Sequence, residues 1–146
     1  MNAAKEFYSI LLADDSEDDR FFMRTALRNH PRLQIVGEVE NGEEVMFYFQ
    51  GTGKYADRQA YPLPDLLLLD LKMPRFTGFE VLLWLQKQDL PDLKVVVLSG
   101  SHLKTDNEQA MNLGADAYYT KAVSKPEQEK MVNDLEALLD GSPGNP

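Results

Sequence analysis

The sequence predicts an α/β fold, a three-layer sandwich in which five helices cover a five-stranded parallel sheet. Two observations carry this. Five short apolar runs alternate with longer segments of helical spacing, and a capping signature stands at the start of each helical segment. Parallel neighbours need a crossover long enough to hold a helix, and that crossover is right-handed in nearly every case. Strand followed by helix, five times over, therefore stacks helices on both faces of one sheet.

The elements follow in chain order. Tyr8–Ala13 is an apolar run of strand length, and Phe21, Phe22, Thr25 and Leu27 then recur at helical spacing. Ser16 with Asp19 can open that helix: the hydroxyl accepts an orphan backbone N–H, and an acid three residues later answers a second one. Leu33–Val39 is the second strand, and Asn41 with Glu44 opens the second helix. Gly51–Pro64 is a polar insert punctuated by Gly and Pro, longer than most helix-to-strand loops. Leu66–Leu69 forms the third strand, with Thr77 and Glu80 capping a helix that carries Val81, Leu82 and Leu85. Val95–Leu98 is the fourth strand, and Thr105 with Glu108 is the expected cap of the fourth helix. Ala115–Thr120 is a weaker fifth strand, and Ser124 with Glu127 caps a last helix that has Pro126 in its first turn and ends near Asp140. Residues 1–140 are read as one domain and 141–146 as a disordered tail. Trp84, Phe21, Phe22 and Phe79 are expected to fill the core or the helix–sheet layer, and His30 and His102 to be surface or cap residues.

With 146 residues, 43% of them hydrophobic, one domain can bury a core without covalent staples. The absence of cysteine excludes a disulfide framework and thiolate chemistry, and fits a reducing cytoplasm. A net charge of −9 opposes non-specific binding to nucleic acid or to an anionic membrane. The first apolar run is too short for a signal-peptide core or a membrane span, so the start reads as a mature N-terminus.

Five strands suit the flavodoxin-like order 2-1-3-4-5, although the sequence leaves other doubly wound orders open. In that order ligands bind beyond the carboxyl ends of strands one and three. Strand one ends in Asp14 and Asp15, strand three in Asp70, strand four in Ser99, and strand five in Lys121. Two carboxylates ~4 Å apart repel by roughly 4 kcal/mol at an effective dielectric near ~20, so a cation is expected among the three acids. Hard oxygen donors on short strand ends suit Mg²⁺ with retained waters. A carboxylate there can accept a phosphoryl group as a nucleophile, a metal and a lysine can offset charge on the transferring oxygens, and the Ser99 hydroxyl can hydrogen-bond the group once it has arrived.

Over roughly residues 8 to 140 these motifs resemble the receiver domains of two-component response regulators. The resemblance implies that Asp14 and Asp15 are the metal-binding pair, with Asp15 the direct ligand and Asp14 acting through water, and that Asp70 is the phosphoacceptor. The stretch from Asp70 through Met73-Pro74 to Gly78 resembles the family's loop after strand three, which assigns the Lys72 carbonyl to the metal. Ser99-Gly100 matches the switch hydroxyl and its small neighbour, and Tyr118 the switch aromatic three residues before Lys121. The family's response is a shift of the face formed by helix four, strand five and helix five, between two states of modest energy difference. Implied partners are a histidine kinase and either a downstream protein or a histidine phosphotransfer protein, with no output domain after Asp140. The insert resembles single-domain regulators paired with phytochrome-type kinases, some of which form homodimers. One position departs: Ala122 stands where the family has a proline after the lysine, and a non-proline cis bond costs ~2.5–4 kcal/mol.

Other chemistries fit less well. A phosphate-loop NTPase needs GxxxxGK followed by Ser or Thr, but Tyr48 stands at the first glycine and Tyr55 follows Gly53-Lys54. A haloacid-dehalogenase-type phosphatase wants an acid two residues past the nucleophile, where Lys72 stands. Lys125-Pro126 could replace Lys121-Ala122 as the lysine–proline pair, but it lies in the first turn of the last helix. A receiver-like binding module that does not use phosphorylation, and a phosphorelay intermediate, remain as alternative functions. The expected role is a phosphoacceptor signalling protein rather than an enzyme acting on a separate substrate.

Overall fold

The computed structural model describes residues 5–121 and 124–141. The strands are β1 (Tyr8–Ala13), β2 (Leu33–Val39), β3 (Leu66–Leu69), β4 (Lys94–Ser99) and β5 (Ala117–Thr120). The helices are α1 (Glu17–Leu27), α2 (Gly42–Gln50), α3 (Gly78–Leu85), α4 (Lys104–Asn112) and α5 (Lys125–Leu139). All strand pairs are parallel, in the order β2-β1-β3-β4-β5.

Alternation along the strands divides the core in two. Leu11, Ala13, Leu67, Leu69, Val95 and Val97 face a layer that includes Val45, Tyr48, Val81, Leu82 and Ala110 of α2, α3 and α4. Ile10, Leu12, Leu66, Leu68, Val96 and Leu98 face Met23, Leu27, Met131, Val132, Leu135 and Leu139 of α1 and α5. The sheet is buried on both sides, which is why β3 reads as an unbroken leucine run.

Four of the five expected caps form. Ser16, Asn41, Thr77 and Ser124 accept the N–H groups of Asp19, Glu44, Glu80 and Glu127, and Thr77 with Glu80 closes a full capping box. The expected cap at Thr105 is corrected: α4 begins at Lys104, behind Leu103, which makes no side-chain cap bond. Buried Ser101 has started the turn earlier, its Oγ accepting from Leu103 N at 3.2 Å and donating to Asp106 Oδ2 at 2.6 Å.

Phe21 and Phe22 do not enter the core; they are 54% and 56% exposed. The buried stripe of α1 is Arg20, Met23 and Leu27, and that phase turns the two preceding aromatics outward. An arginine sets the inward face because it is bonded there, an outcome hydrophobic spacing does not anticipate. Phe79 packs on the α2–α4 side, and Trp84 is half-buried. His30 is half-buried, with Nδ1 accepting from Arg32 N at 3.0 Å, and His102 is exposed.

The insert is built on α2. Gly51 ends the helix in the left-handed region at φ 71°, and Arg58 returns to donate to the terminal carbonyls of Tyr48 and Phe49 at 2.8 and 2.9 Å. Tyr55 and Tyr61 pack on Tyr48 with ring centroids 5.0 and 6.0 Å away. Of the expected tail, Gly141 follows α5 with φ 74°; the remainder, and the Lys121–Ala122 linkage, lie outside the described residues.

At the amino ends of the strands, Arg32 donates to both oxygens of Asp140 at 2.7 and 2.8 Å, and Tyr8 Oη adds a third bond at 2.6 Å. Bonds from Arg32, then from Tyr8, hold the Asp140 carboxyl down at about 2, against ~3.9 in an unfolded chain. A folded value below the unfolded one adds stability above pH ~4 that disappears as the pH falls toward 2. The melting temperature of the wild type is therefore expected to fall more steeply than that of Asp140→Asn between pH 4 and 2; parallel curves would refute it.

Candidate functional site

The ladder delivers the acids. Asp70 N donates to Ala13 O at 3.0 Å and Asp14 N to Val39 O at 3.1 Å, so the strand pairing continues one residue past β3 and β1. Carboxylate oxygens of Asp14, Asp15 and Asp70 all lie within 4.8 Å of one another. Asp14 and Asp70 are buried, 4% and 5% exposed, and Asp15 is open to solvent.

Lys121 reaches in from the end of β5, its backbone N–H fixed on Ser99 O at 2.8 Å. Its Nζ lies 2.6 Å from Asp19, 2.9 Å from Asp14 and 3.5 Å from Asp70. Burial would lower its affinity for a proton, but the bonds to Asp19 and Asp14 outweigh this and hold the ammonium above its ordinary value.

The acids are held differently. Asp14 accepts from Ser16 N at 2.9 Å, and its carbonyl takes the buried Arg20 guanidinium at 2.7 Å. Among the described residues Asp70 has only long contacts, Lys72 N to Oδ1 at 3.5 Å and Lys121 to Oδ2 at 3.5 Å. Burial pushes its carboxyl up to about 6, with Lys121 opposing the rise and Asp14 and Asp15 adding to it. A buried carboxylate so loosely bonded is a usable nucleophile, because no strong partner must be stripped from it first.

Geometry at the loop after β3 is tight. Arg75 and Phe76 both have positive φ, 51° and 91°, a region that side chains beyond glycine seldom occupy. The N-terminus of α2 holds this turn through Glu43 N to Arg75 O at 2.9 Å. Lys72 itself is exposed, two residues past Asp70.

Ser99 is fully buried, and its Oγ accepts from Ser101 N at 3.1 Å. Tyr118, paired with Val97 across the ladder, donates from Oη to Ser101 O at 2.9 Å. The hydroxyl, the aromatic and the start of α4 therefore meet at Ser101, a residue with no motif signal of its own. Arg20 gives no signal in the sequence, and Asp19 reads there only as the cap partner of Ser16.

All three acids and Lys121 converge as expected, and their donor set fits a cation. Of the three acids, Asp14 and Asp70 share Lys121 with Asp19, and among the described residues no cationic side chain pairs with Asp15. Hard oxygens, one of them solvent-accessible, suit a divalent ion that keeps some of its water.

Residues 10–133 match the response regulator receiver domain. The chain belongs to this family. Its similarity to response regulator Rcp1 of Synechocystis sp. is 33% identity over 130 residues, covering 88% of this chain and 86% of Rcp1. The receiver also resembles the solved Mn(2+)-bound form of Rcp1, with a TM-score of 0.77 at 30% identity, over 95% of this chain and 99% of that one. It resembles the phosphorylated cyanobacterial phytochrome response regulator RcpA with a TM-score of 0.78 at 31% identity, over 91% and 94% of the two chains. The nitrate/nitrite response regulator NarL of Escherichia coli is 31% identical over 88% of the receiver, which spans 55% of NarL. Among the described residues no helix is long and apolar enough to cross a membrane.

Proposed function

We propose that this receiver accepts a phosphoryl group on Asp70 from the phosphohistidine of a histidine kinase and signals through the face formed by α4, β5 and α5. The observation that carries the reading is the Asp70 carboxylate: buried, grouped with Asp14, Asp15 and Lys121 from the ends of β1 and β5, and held among the described residues only at 3.5 Å.

In the proposed transfer an Asp70 oxygen attacks phosphorus, the O–P bond forms as the histidine N–P bond breaks, and the freed imidazole takes its proton from solvent. The product is an acyl phosphate, which water returns to carboxylate and inorganic phosphate. Asp15, Asp70 and the Lys72 carbonyl would hold Mg²⁺, with Asp14 acting through water. When bound, that ion supplies positive charge beside the phosphoryl oxygens. Lys121 supplies the protein's own positive charge at the same place, and Ser99 offers a hydroxyl to the transferred group. The description of the Rcp1 structure as Mn(2+)-bound supports a divalent ion, and that of RcpA as phosphorylated supports the acceptor role.

Turning Ser99 toward a phosphoryl group would break its bond from Ser101 N, and Ser101 also carries Tyr118 and Asp106. Release there would reach α4 and β5, where Leu103 and Met111 already stand exposed, and a downstream protein would read the altered face. A phytochrome-type kinase is the proposed donor, on the likeness to RcpA.

The test is incubation with phosphoramidate and Mg²⁺, followed by detection of acid-labile phosphate. Label is expected on the wild type, but not on Asp70→Asn or in excess EDTA. An unlabelled wild type, or a fully labelled Asp70→Asn, would overturn the assignment. Mg²⁺ at ~100 times its dissociation constant should add about 2.7 kcal/mol of stability by binding only the folded site. Asp15→Ala should remove that rise in melting temperature, and phosphotransfer profiling against candidate kinases would identify the donor.

A further inference from the structure

Lys121 takes its shortest bond not from the strand-end acids but from α1. Asp19 stands third in that helix, where an acid would ordinarily reach back to the N–H of the cap residue. Asp14 Oδ1 has taken that N–H, accepting from Ser16 N at 2.9 Å. Asp19 keeps the backbone half of the cap, N–H to Ser16 Oγ at 3.2 Å, and its carboxylate crosses to Lys121 Nζ at 2.6 Å.

The lysine is thereby held from the side. An ammonium has three N–H donors; Nζ bonds Asp19 Oδ2 at 2.6 Å and stands 2.9 Å from Asp14 Oδ2, which leaves Asp70 at 3.5 Å. Charge-assisted N–H···O bonds close to ~2.7–2.9 Å, so Lys121 stops short of a full bond to Asp70. Alone with Asp70 and Asp14, it would be free to settle on the Asp70 carboxylate and cover the lone pairs that must attack phosphorus. The pair lies in a cleft of about 110 Å³ whose other walls include Phe22, Met23, Leu98 and Met131. Apolar walls weaken screening by water and strengthen the attraction.

We propose that Asp19 is a positioning residue for phosphoryl uptake: it draws Lys121 off the Asp70 carboxylate and keeps the ammonium at a stand-off where it meets the incoming phosphoryl oxygens. The proposal rests on Asp70 as phosphoacceptor. It gives the lysine a guide on α1, independent of the residue that follows it in sequence.

The test uses the whole chain, with phosphoramidate as donor and saturating Mg²⁺. Asp19→Asn keeps the backbone cap and removes the charge, and its rate of acyl phosphate formation is expected to fall roughly tenfold, within the ~100-fold that a ~1 Å misplacement of a catalytic group can cost. Asp19→Glu should recover part of the loss. In a Lys121→Gln background, adding Asp19→Asn should change the rate by less than about twofold, because the residue acts through the lysine. Melting curves in EDTA supply a readout free of metal and donor: the effects of Asp19→Asn and Lys121→Gln should be non-additive there. An Asp19→Asn rate equal to or above that of the wild type, an undiminished Asp19 effect without Lys121, or additive melting shifts would each overturn the proposal. A wild type that takes no label would instead overturn the acceptor role of Asp70, while the melting cycle would still decide the pairing.

Discussion

Arg20→Met is expected to cost about 3 kcal/mol of stability, because a buried cation with several partners cannot be removed without stranding them. The guanidinium is 7% exposed and bonds the Asp14 carbonyl at 2.7 Å and Glu38 at 3.1 Å, with Glu40 at 3.4 Å. Methionine matches the stem and none of the donors. The Asp14 carbonyl would lose its side-chain donor, and among the described residues Glu38 would keep only Arg24, at 2.6 Å. The loss should also reach the site, since the same backbone carries the Asp14 and Asp15 side chains. The Mg²⁺-dependent rise in melting temperature is therefore expected to shrink along with stability. Arg24→Gln serves as the control: that side chain is 35% exposed and away from Asp14, so the metal response should survive. Calorimetry with and without Mg²⁺ measures both quantities, and an Arg20→Met protein with wild-type melting in either condition would refute the argument.

Gly78→Ala is expected to be comparably damaging, at about 3 kcal/mol, the upper end of the usual range for overpacking. Gly78 opens α3, and a Cβ there would overlap the Asp70 carbonyl oxygen and sit 2.7 Å from Leu71 Cα. Both obstacles are backbone, so no rotamer relieves the clash. Either the first turn of α3 must move or the end of β3 must, and the second option shifts the acceptor itself. At ~2–4 °C per kcal/mol for a domain of this size, melting should fall by roughly 10 °C, and labelling of Asp70 by phosphoramidate should slow. Gly100→Ala makes the comparison for stability, since a Cβ there meets nothing within 4 Å and little loss is expected. Equal melting temperatures for the two variants would show that α3 yields without cost.

Much of the site was legible because its residues sit at strand ends. A run such as LLLLD fixes where β3 stops, and parallel order then sends its final acid to the same edge as Asp14 and Asp15. Helix starts were legible where one side chain serves one N–H, as at Thr77. The failure at Thr105 has the opposite cause: Ser101, outside the helix, captured Asp106 and moved the start. The expected burial of Phe21 and Phe22 failed for a related reason, since the phase of α1 is set by Arg20 bonding to the Asp14 carbonyl just past β1 and to Glu38 on β2.

Periodicity and residue type are local, and by themselves they determined the alternation of strand and helix, the strand ends that carry Asp14, Asp15, Asp70, Ser99 and Lys121, and the charge excess that calls for a cation. Only the tertiary structure decided which acid holds the lysine. Lys121 is 102 residues from Asp19 in the chain and 2.6 Å from it in space. Ion pairing depends on that distance and on burial, and neither exists until α1 and β5 have docked on the same sheet.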